Sequence, residues 1–170
     1  TTAAYAVAAS VVAPGLQQIG IPPLVAHFFV FYYAVLSAIT PPVALAGYAA
    51  AAIAGTDPLK TAMTSFKFGL AAFIVPFMFF YSPALLMDGT WMQILRVAIT
   101  AAVGIYLLAS AVQAWFLNGG VNPVQRVLLL TAALSMIAGG WMTDLIGLGL
   151  GGLVFAWQAA ALKAKPKALI

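Results

Sequence analysis

Ser37-Ala38-Ile39-Thr40-Pro41-Pro42 interrupts a run, residues 23–54, that is apolar almost throughout. A continuous helix over that run would measure about 48 Å at 1.5 Å per residue, well beyond a hydrocarbon core of about 30 Å. Pro41 and Pro42 have no backbone N–H, and their rings clash with the preceding turn. The residue before a proline is also pushed out of the helical region. The stretch therefore predicts two half-helices, 23–38 and 42–54, joined by an unwound segment. Irregular backbone at membrane depth persists only where it is buried in protein or lines a cavity. Secondary transporters use such breaks to offer free carbonyls to cations and half-helix N-termini to anions. The plainer reading is a kink filled by packing alone.

Composition supports the membrane setting. Of the 170 residues, 65% are hydrophobic and 6% are charged. A soluble domain carries about a quarter charged residues, and one of this size cannot hide so much apolar surface. Glutamate is absent and the acids are Asp57, Asp88 and Asp144. Without cysteine, disulfides and Cys-based metal or redox sites are excluded. The net charge of +4 comes from scattered or terminal basic residues, not from a basic face, so no nucleic-acid partner is indicated. No nucleophile–base pair, paired carboxylates or metal cluster stands out, so the chain does not read as an enzyme.

Outward from the break, proline, glycine, asparagine and aspartate punctuate the chain. Residues 1–13 form a short apolar helix closed by Pro14-Gly15, too short to span and read as one arm of a re-entrant hairpin. Residues 15–22 form a loop. Gly55-Thr56-Asp57-Pro58 stops one helix and starts the next, with Asp57 or Thr56 as cap and Pro58 at the first helical position. Residues 58–87 form a helix that Pro76 kinks. Asp88-Gly89 is a turn, 91–116 a clean span, and Leu117-Asn118-Gly119-Gly120 a loop. Two further spans, 123–138 and 143–162, follow, separated by Gly139-Gly140. The opening Thr1-Thr2-Ala3-Ala4-Tyr5 lacks the charged start of a signal peptide and reads as the interior of a longer permease.

Positive charge orients the spans. With the Lys163-Ala164-Lys165-Pro166-Lys167 tail cytoplasmic, six of the seven basic residues lie inside. Arg96 is the exception, near the outer end of its helix, where it snorkels. The flipped arrangement leaves six outside and is rejected.

Several residues admit two readings. Thr1 and Thr2 start a half-helix whose positive end points into the membrane, and they serve either as a cation or substrate contact or as a plain N-cap. His27, the single histidine, is either a proton relay or a side chain hydrogen-bonded to a neighbouring helix; no second titratable group lies at helical spacing from it. Asp144 reads as a first-turn acid favoured by the helix dipole. Gly147, Gly149, Gly151 and Gly152 read as a helix-packing run. At the break, carbonyls around Ser37, Ala38 and Ile39 together with the Thr40 hydroxyl form a neutral oxygen set suited to a sodium ion. Thr1 or Thr2 closes it from the other side.

Thr1-Thr2-Ala3-Ala4-Tyr5, Ala26-His27-Phe28-Phe29-Val30-Phe31-Tyr32 and Thr40-Pro41-Pro42-Val43-Ala44 resemble the C-terminal part of a large permease of the tripartite ATP-independent periplasmic (TRAP) transporters. So do Ile53-Ala54-Gly55-Thr56-Asp57-Pro58, Phe68–Phe77 and Tyr81-Ser82-Pro83-Ala84-Leu85-Leu86. The likeness is to the TAXI branch, in which the two membrane subunits are often fused, and covers residues 1 to about 87 in detail. It implies an elevator-type importer of organic anions, carboxylates, driven by a sodium gradient or in some members by protons. It implies partners as well: a periplasmic solute-binding protein, the remaining permease segments, and a small membrane subunit or its fused equivalent. Residues 1–14 are then the second arm of a hairpin, and Thr40-Pro41-Pro42 is the unwound part of the facing helix.

The expected fold is thus an all-α integral membrane protein of the bacterial inner membrane, multi-pass, with its C-terminus cytoplasmic. It is a polytopic helical bundle with a re-entrant hairpin arm and a Pro-broken transmembrane helix. Residues 1–55 hold the arm and broken helix, 56–87 the kinked helix, and 88–170 three C-terminal helices. The ion contacts are Ser37, Ala38, Ile39 and Thr40, and the substrate contacts are Thr1, Thr2, Pro41 and Pro42. Sodium is the coupling ion, and no cofactor is expected. Alternatives are another elevator-type anion transporter or a non-transporting accessory membrane subunit.

Overall fold

The computed structural model describes residues 1–117 and 119–164. Lys165 and Lys167 of the basic tail lie outside the described residues. The chain divides into two compact units, Thr1–Leu95 and the residues from Arg96 onward. The expected segments 1–55 and 56–87 fall in the first. Among the described residues, three helices are long and apolar enough to cross a membrane: Pro58–Tyr81, Trp91–Gln113 and Trp141–Ala161.

In the first unit α1 (Thr2–Gln18) and α2 (Pro23–Leu36) form an antiparallel pair. α1 outruns its expected end, because Pro14 is accommodated inside the helix. It stops at Ile19-Gly20, where Gly20 takes φ +92° and its N–H donates to the Gln17 carbonyl at 2.9 Å. Small side chains let the pair close: Ala13 and Ala26 are fully buried together with Val30.

The run from 23 to 54 is broken, as its prolines require. α2 tightens into a 3-10 turn at Ser37–Ile39, Thr40 is extended (φ −102°, ψ 115°), and the Pro41-Pro42 peptide is cis. Helix resumes as α3 (Leu45–Ala54), three residues later than expected. The delay lies at Ala44, fully buried and left-handed at φ 34°, whose N–H reaches the Thr40 carbonyl at 3.0 Å. For a residue with a Cβ this conformation costs about 1–2 kcal/mol.

α4 (Pro58–Gly69) starts with the Lys60 N–H donating to Asp57 Oδ1 at 2.7 Å, so Asp57 is the cap. The helix then narrows to 3-10 geometry over Leu70–Ile74 before α5 (Val75–Tyr81). The disturbance lies upstream of Pro76 because the missing proline N–H deprives the Ala72 carbonyl, one turn earlier, of its donor. The two interrupted columns, α2–α3 and α4–α5, pack side by side. α2 meets α5 through aromatic edges: Phe29 lies 5.4 Å from Phe77 and 5.1 Å from Phe80, and Phe28 lies 6.3 Å from Phe79. α3 meets α4 where a Cβ on Gly47 would come within 2.9 Å of the Ala62 Cα. The interruptions also meet, for the Ile39 side chain occupies the space a Cβ on Gly69 would need.

The second unit takes in most of α6 (Trp91–Gln113), then α7 (Pro123–Ile137) and α8 (Trp141–Ala164). α6 ends at Gln113, short of the expected 116, and the last residues of that expected span form β1 (Trp115–Phe116), which pairs antiparallel with β2 (Gly119–Gly120) of the expected loop, Trp115 opposite Gly120. α7 opens on a capping box: the Gln125 N–H donates to Asn122 Oδ1 at 2.8 Å, and the Asn122 N–H to Gln125 Oε1 at 3.2 Å. Arg126 donates from Nε to the Ala111 carbonyl at 2.7 Å and from Nη2 to Val112 at 3.2 Å. It thereby closes the C-terminal end of α6. Of the four glycines in α8, Gly147 and Gly151 face neighbours. A Cβ on Gly147 would meet the Ala132 carbonyl at 2.8 Å and one on Gly151 the Leu107 side chain at 3.0 Å, whereas Gly149 and Gly152 face open space.

Candidate functional site

The break between α2 and α3 leaves a particular set of oxygens. The Ala38 carbonyl has Pro41 and Pro42 at its i+3 and i+4 positions, so neither helical donor exists for it. The Ser37 carbonyl is taken, accepting from the Thr40 N–H at 3.2 Å. The Thr40 hydroxyl donates to the Leu36 carbonyl at 2.7 Å and the Ser37 hydroxyl to Ala34 at 2.7 Å. Each hydroxyl thereby commits its proton inward and keeps its oxygen lone pairs. The Pro42 carbonyl accepts from the Tyr48 hydroxyl at 2.9 Å. Residues 37–41 are half-buried and Pro42 is exposed. Such neutral oxygens suit a hard cation. Among the described residues, no three His, Cys, Asp or Glu side chains gather as a metal cluster would require.

Thr1 is the N-cap of α1 without a side-chain cap bond. Thr1 and Thr2 line a cavity of about 360 Å³ with Tyr5, Leu24, His27, Phe28 and Phe31. Ser37 lines a different one, of about 380 Å³, with Ala4, Ala8, Val12, Phe29, Val30, Tyr33 and Ala34. In these two cavities the threonines and the break are not brought together. They draw on the same two helices, α1 and α2.

His27 is hydrogen-bonded to the neighbouring helix: its Nδ1 lies 3.0 Å from the Tyr5 hydroxyl. Tyr33, one turn before Ser37, donates to the Phe73 carbonyl at 2.8 Å, inside the 3-10 stretch of the adjacent column. A tyrosine hydroxyl thus serves a carbonyl at each interruption, Tyr48 at one and Tyr33 at the other. Sequence reading missed all three tyrosine contacts. The partners of Tyr5 and Tyr33 lie 22 and 40 positions away, beyond any local periodicity.

Arg96 does not snorkel alone. Its Nη2 lies 2.9 Å and its Nε 3.2 Å from Asp144 Oδ2, Nη2 donates also to the Gly139 carbonyl at 3.1 Å, and the guanidinium sits 4.2 Å from the Trp141 ring centroid. Asp144 is therefore a paired acid as well as a first-turn one. A signal for the pair was present: Arg96 is the sole charge within 91–113 and Asp144 the sole charge within 141–161. Intramembrane charges pair with one another.

Helices long and apolar enough to span a bilayer, beside a Pro-broken run whose Ala38 carbonyl lacks both helical donors, mark an integral membrane protein. The particular family follows from the sequence itself: the family model described as the tripartite ATP-independent periplasmic transporter, DctM component, matches residues 1–94, and the chain belongs to that family. It is accordingly a permease component of a TRAP transporter, not an enzyme. The family implies a periplasmic binding protein and further subunits in general. No curated protein and no solved structure matches the chain.

Proposed function

We propose that the chain forms part of the translocation path for organic anions, carboxylates, which a periplasmic solute-binding protein delivers and a sodium gradient drives inward across the bacterial inner membrane. The observation that carries this reading is the Ala38 carbonyl, deprived of both helical donors by Pro41 and Pro42. An unpaired carbonyl at membrane depth costs several kcal/mol, about what a bound cation offsets. The Thr40 hydroxyl, its proton committed to Leu36, offers a second oxygen. The Ser37 hydroxyl oxygen, just before Ala38, and the Ile39 carbonyl, between Ala38 and Thr40, complete the candidate ion contacts. The set is neutral, so the ion is weakly held, as a coupling ion that must leave again requires. Thr1 and Thr2 on α1, and Pro41 and Pro42 in the break that leads to α3, are the candidate substrate contacts. The remaining permease segments and a small membrane subunit, or its fused equivalent, complete the site. The elevator-type movement rests on the family likeness.

The test is uptake against sodium concentration for Thr40→Ala and Thr40→Val in the complete transporter. A sodium requirement raised about tenfold at normal expression supports the site, as loss of one ligand predicts. Unchanged sodium dependence in both removes Thr40 from it. Orientation is tested separately. Reporter fusions after Ile170 and within 118–122 are expected in the cytoplasm, and one at Asp88-Gly89 in the periplasm. A periplasmic C-terminus overturns the inward direction of the hairpin arm.

A further inference from the structure

The cavity beside Thr1 and Thr2 has a composition that the break does not share. Three of its lining side chains, Leu24, Phe28 and Phe31, are apolar; the others, Thr1, Thr2, Tyr5 and His27, are polar. Among the described residues no Lys, Arg, Asp or Glu side chain lines it. Its volume of about 360 Å³ falls in the range of small-molecule sites, which combine apolar walls with a few orienting polar groups.

The imidazole is the polar group of the lining that the geometry ties to a side-chain partner. Tyr5 Oη has one hydrogen-bond partner among the described residues, His27 Nδ1. A phenol is a strong donor and an imidazole nitrogen a strong acceptor, and this direction alone gives the tyrosine proton a partner. With Nδ1 accepting, the neutral ring carries its proton on Nε2. Nε2 has no partner among the described residues, while the ring itself lines the cavity. A donor left unmatched in an apolar helix is costly unless something accepts from it.

We infer that His27, held in its Nε2–H form by Tyr5, donates to the carboxylate of a solute whose apolar body rests on Leu24, Phe28 and Phe31. The inference deepens the proposed transport function and rests on it. Tyr5 is a positioning residue, since it acts through His27. The solute class is a monocarboxylate with an aromatic or branched aliphatic body. A second carboxylate on the body of the solute would be set against Leu24, Phe28 and Phe31, which disfavours short dicarboxylates. Thr1 and Thr2 add neutral donors of the kind that can orient a carboxylate.

The test uses the complete transporter, otherwise free of cysteine, with Leu24→Cys as reporter. The rate of maleimide labelling at that cysteine is measured against increasing phenylacetate, phenylacetamide and succinate. Phenylacetate is expected to slow labelling at a concentration about tenfold below either of the others, the ratio one charge-assisted hydrogen bond supplies. His27→Gln and His27→Ala are expected to reduce the phenylacetate-to-phenylacetamide ratio to near one. Tyr5→Phe is expected to reduce it about threefold, with the thermal midpoint monitored in each case. A merely structural Tyr5–His27 contact would lower the midpoint and leave the ratio unchanged, and that result overturns the inference. Equal protection by succinate overturns the solute class, and no protection by any of the three overturns the site. Sodium-dependent uptake that survives alongside either result leaves the transport reading standing.

Discussion

Residues 1–95 and the residues from Arg96 onward handle the same solvent in different ways. In the first unit both helical columns are interrupted, at 37–44 and at 70–74, and the polar backbone so exposed is answered by tyrosine hydroxyls. Aromatic edges and small residues hold the columns together, and the hydrogen-bond networks there include no ion pair among the described residues. In the second unit α7 and α8 run without a break. Close glycine contacts and the Arg96–Asp144 pair join its helices. The family match ends at residue 94, beside the boundary between the units. The contrast teaches that irregular backbone is tolerated where neighbouring hydroxyls and close packing answer its oxygens, while regular helices satisfy their own backbone and need only packing and one buried charge pair to join them.

The sharpest way to break the comparison is at that charge pair. Arg96→Ala leaves Asp144, 5% exposed, without its partner. The expected cost is about 3–5 kcal/mol, read as a fall in the unfolding midpoint of the detergent-solubilised protein. Exchanging the two residues, Arg96→Asp with Asp144→Arg, is expected to recover at least half of it. A midpoint unmoved by Arg96→Ala would mean that the second unit does not depend on its charges.

The next effect in size separates glycines that pack from those that do not. Gly147→Leu drives a side chain into the Ala132 carbonyl and the Met136 side chain, costing about 1–3 kcal/mol. Gly149→Leu, with nothing within 4 Å, is expected to change stability by less than about 0.5 kcal/mol. Equal losses in the two variants would refute the assignment of packing to one face of α8.

In the first unit stability and function are expected to move in opposite directions. Pro41→Ala combined with Pro42→Ala restores N–H donors four residues beyond Ser37 and Ala38. Stability is expected to rise by about 1 kcal/mol, two backbone bonds less the lost rigidity of proline. Uptake by the complete transporter is expected to fall by at least about tenfold, since the Ala38 oxygen is then occupied. Full uptake in this variant would reduce the break to architecture.

The smallest effect is Tyr33→Phe, which removes one donor from the Phe73 carbonyl at an expected cost of about 0.6–1 kcal/mol. A loss of several kcal/mol would show the two interruptions to be far more strongly coupled than one hydrogen bond allows.

Much of this protein was legible in its residues because the governing effects are local. Apolar length set the spans, Pro41 and Pro42 located the break, and Asp57-Pro58 marked a helix start. Each depends on backbone donors within four residues. Local rules also misplaced ends: Pro14 was read as a stop, though the helix accommodates it, and α3 was expected before the left-handed turn at Ala44. The tertiary structure alone decided which groups meet across distance. It joined Tyr5 to His27, Tyr33 to Phe73 and Arg96 to Asp144, and it chose Gly147 and Gly151 over Gly149 and Gly152. Those choices depend on how helices cross and on which face each turns inward. Hydropathy that is nearly uniform around a helix cannot specify that face, because an apolar surface is equally content against lipid or protein.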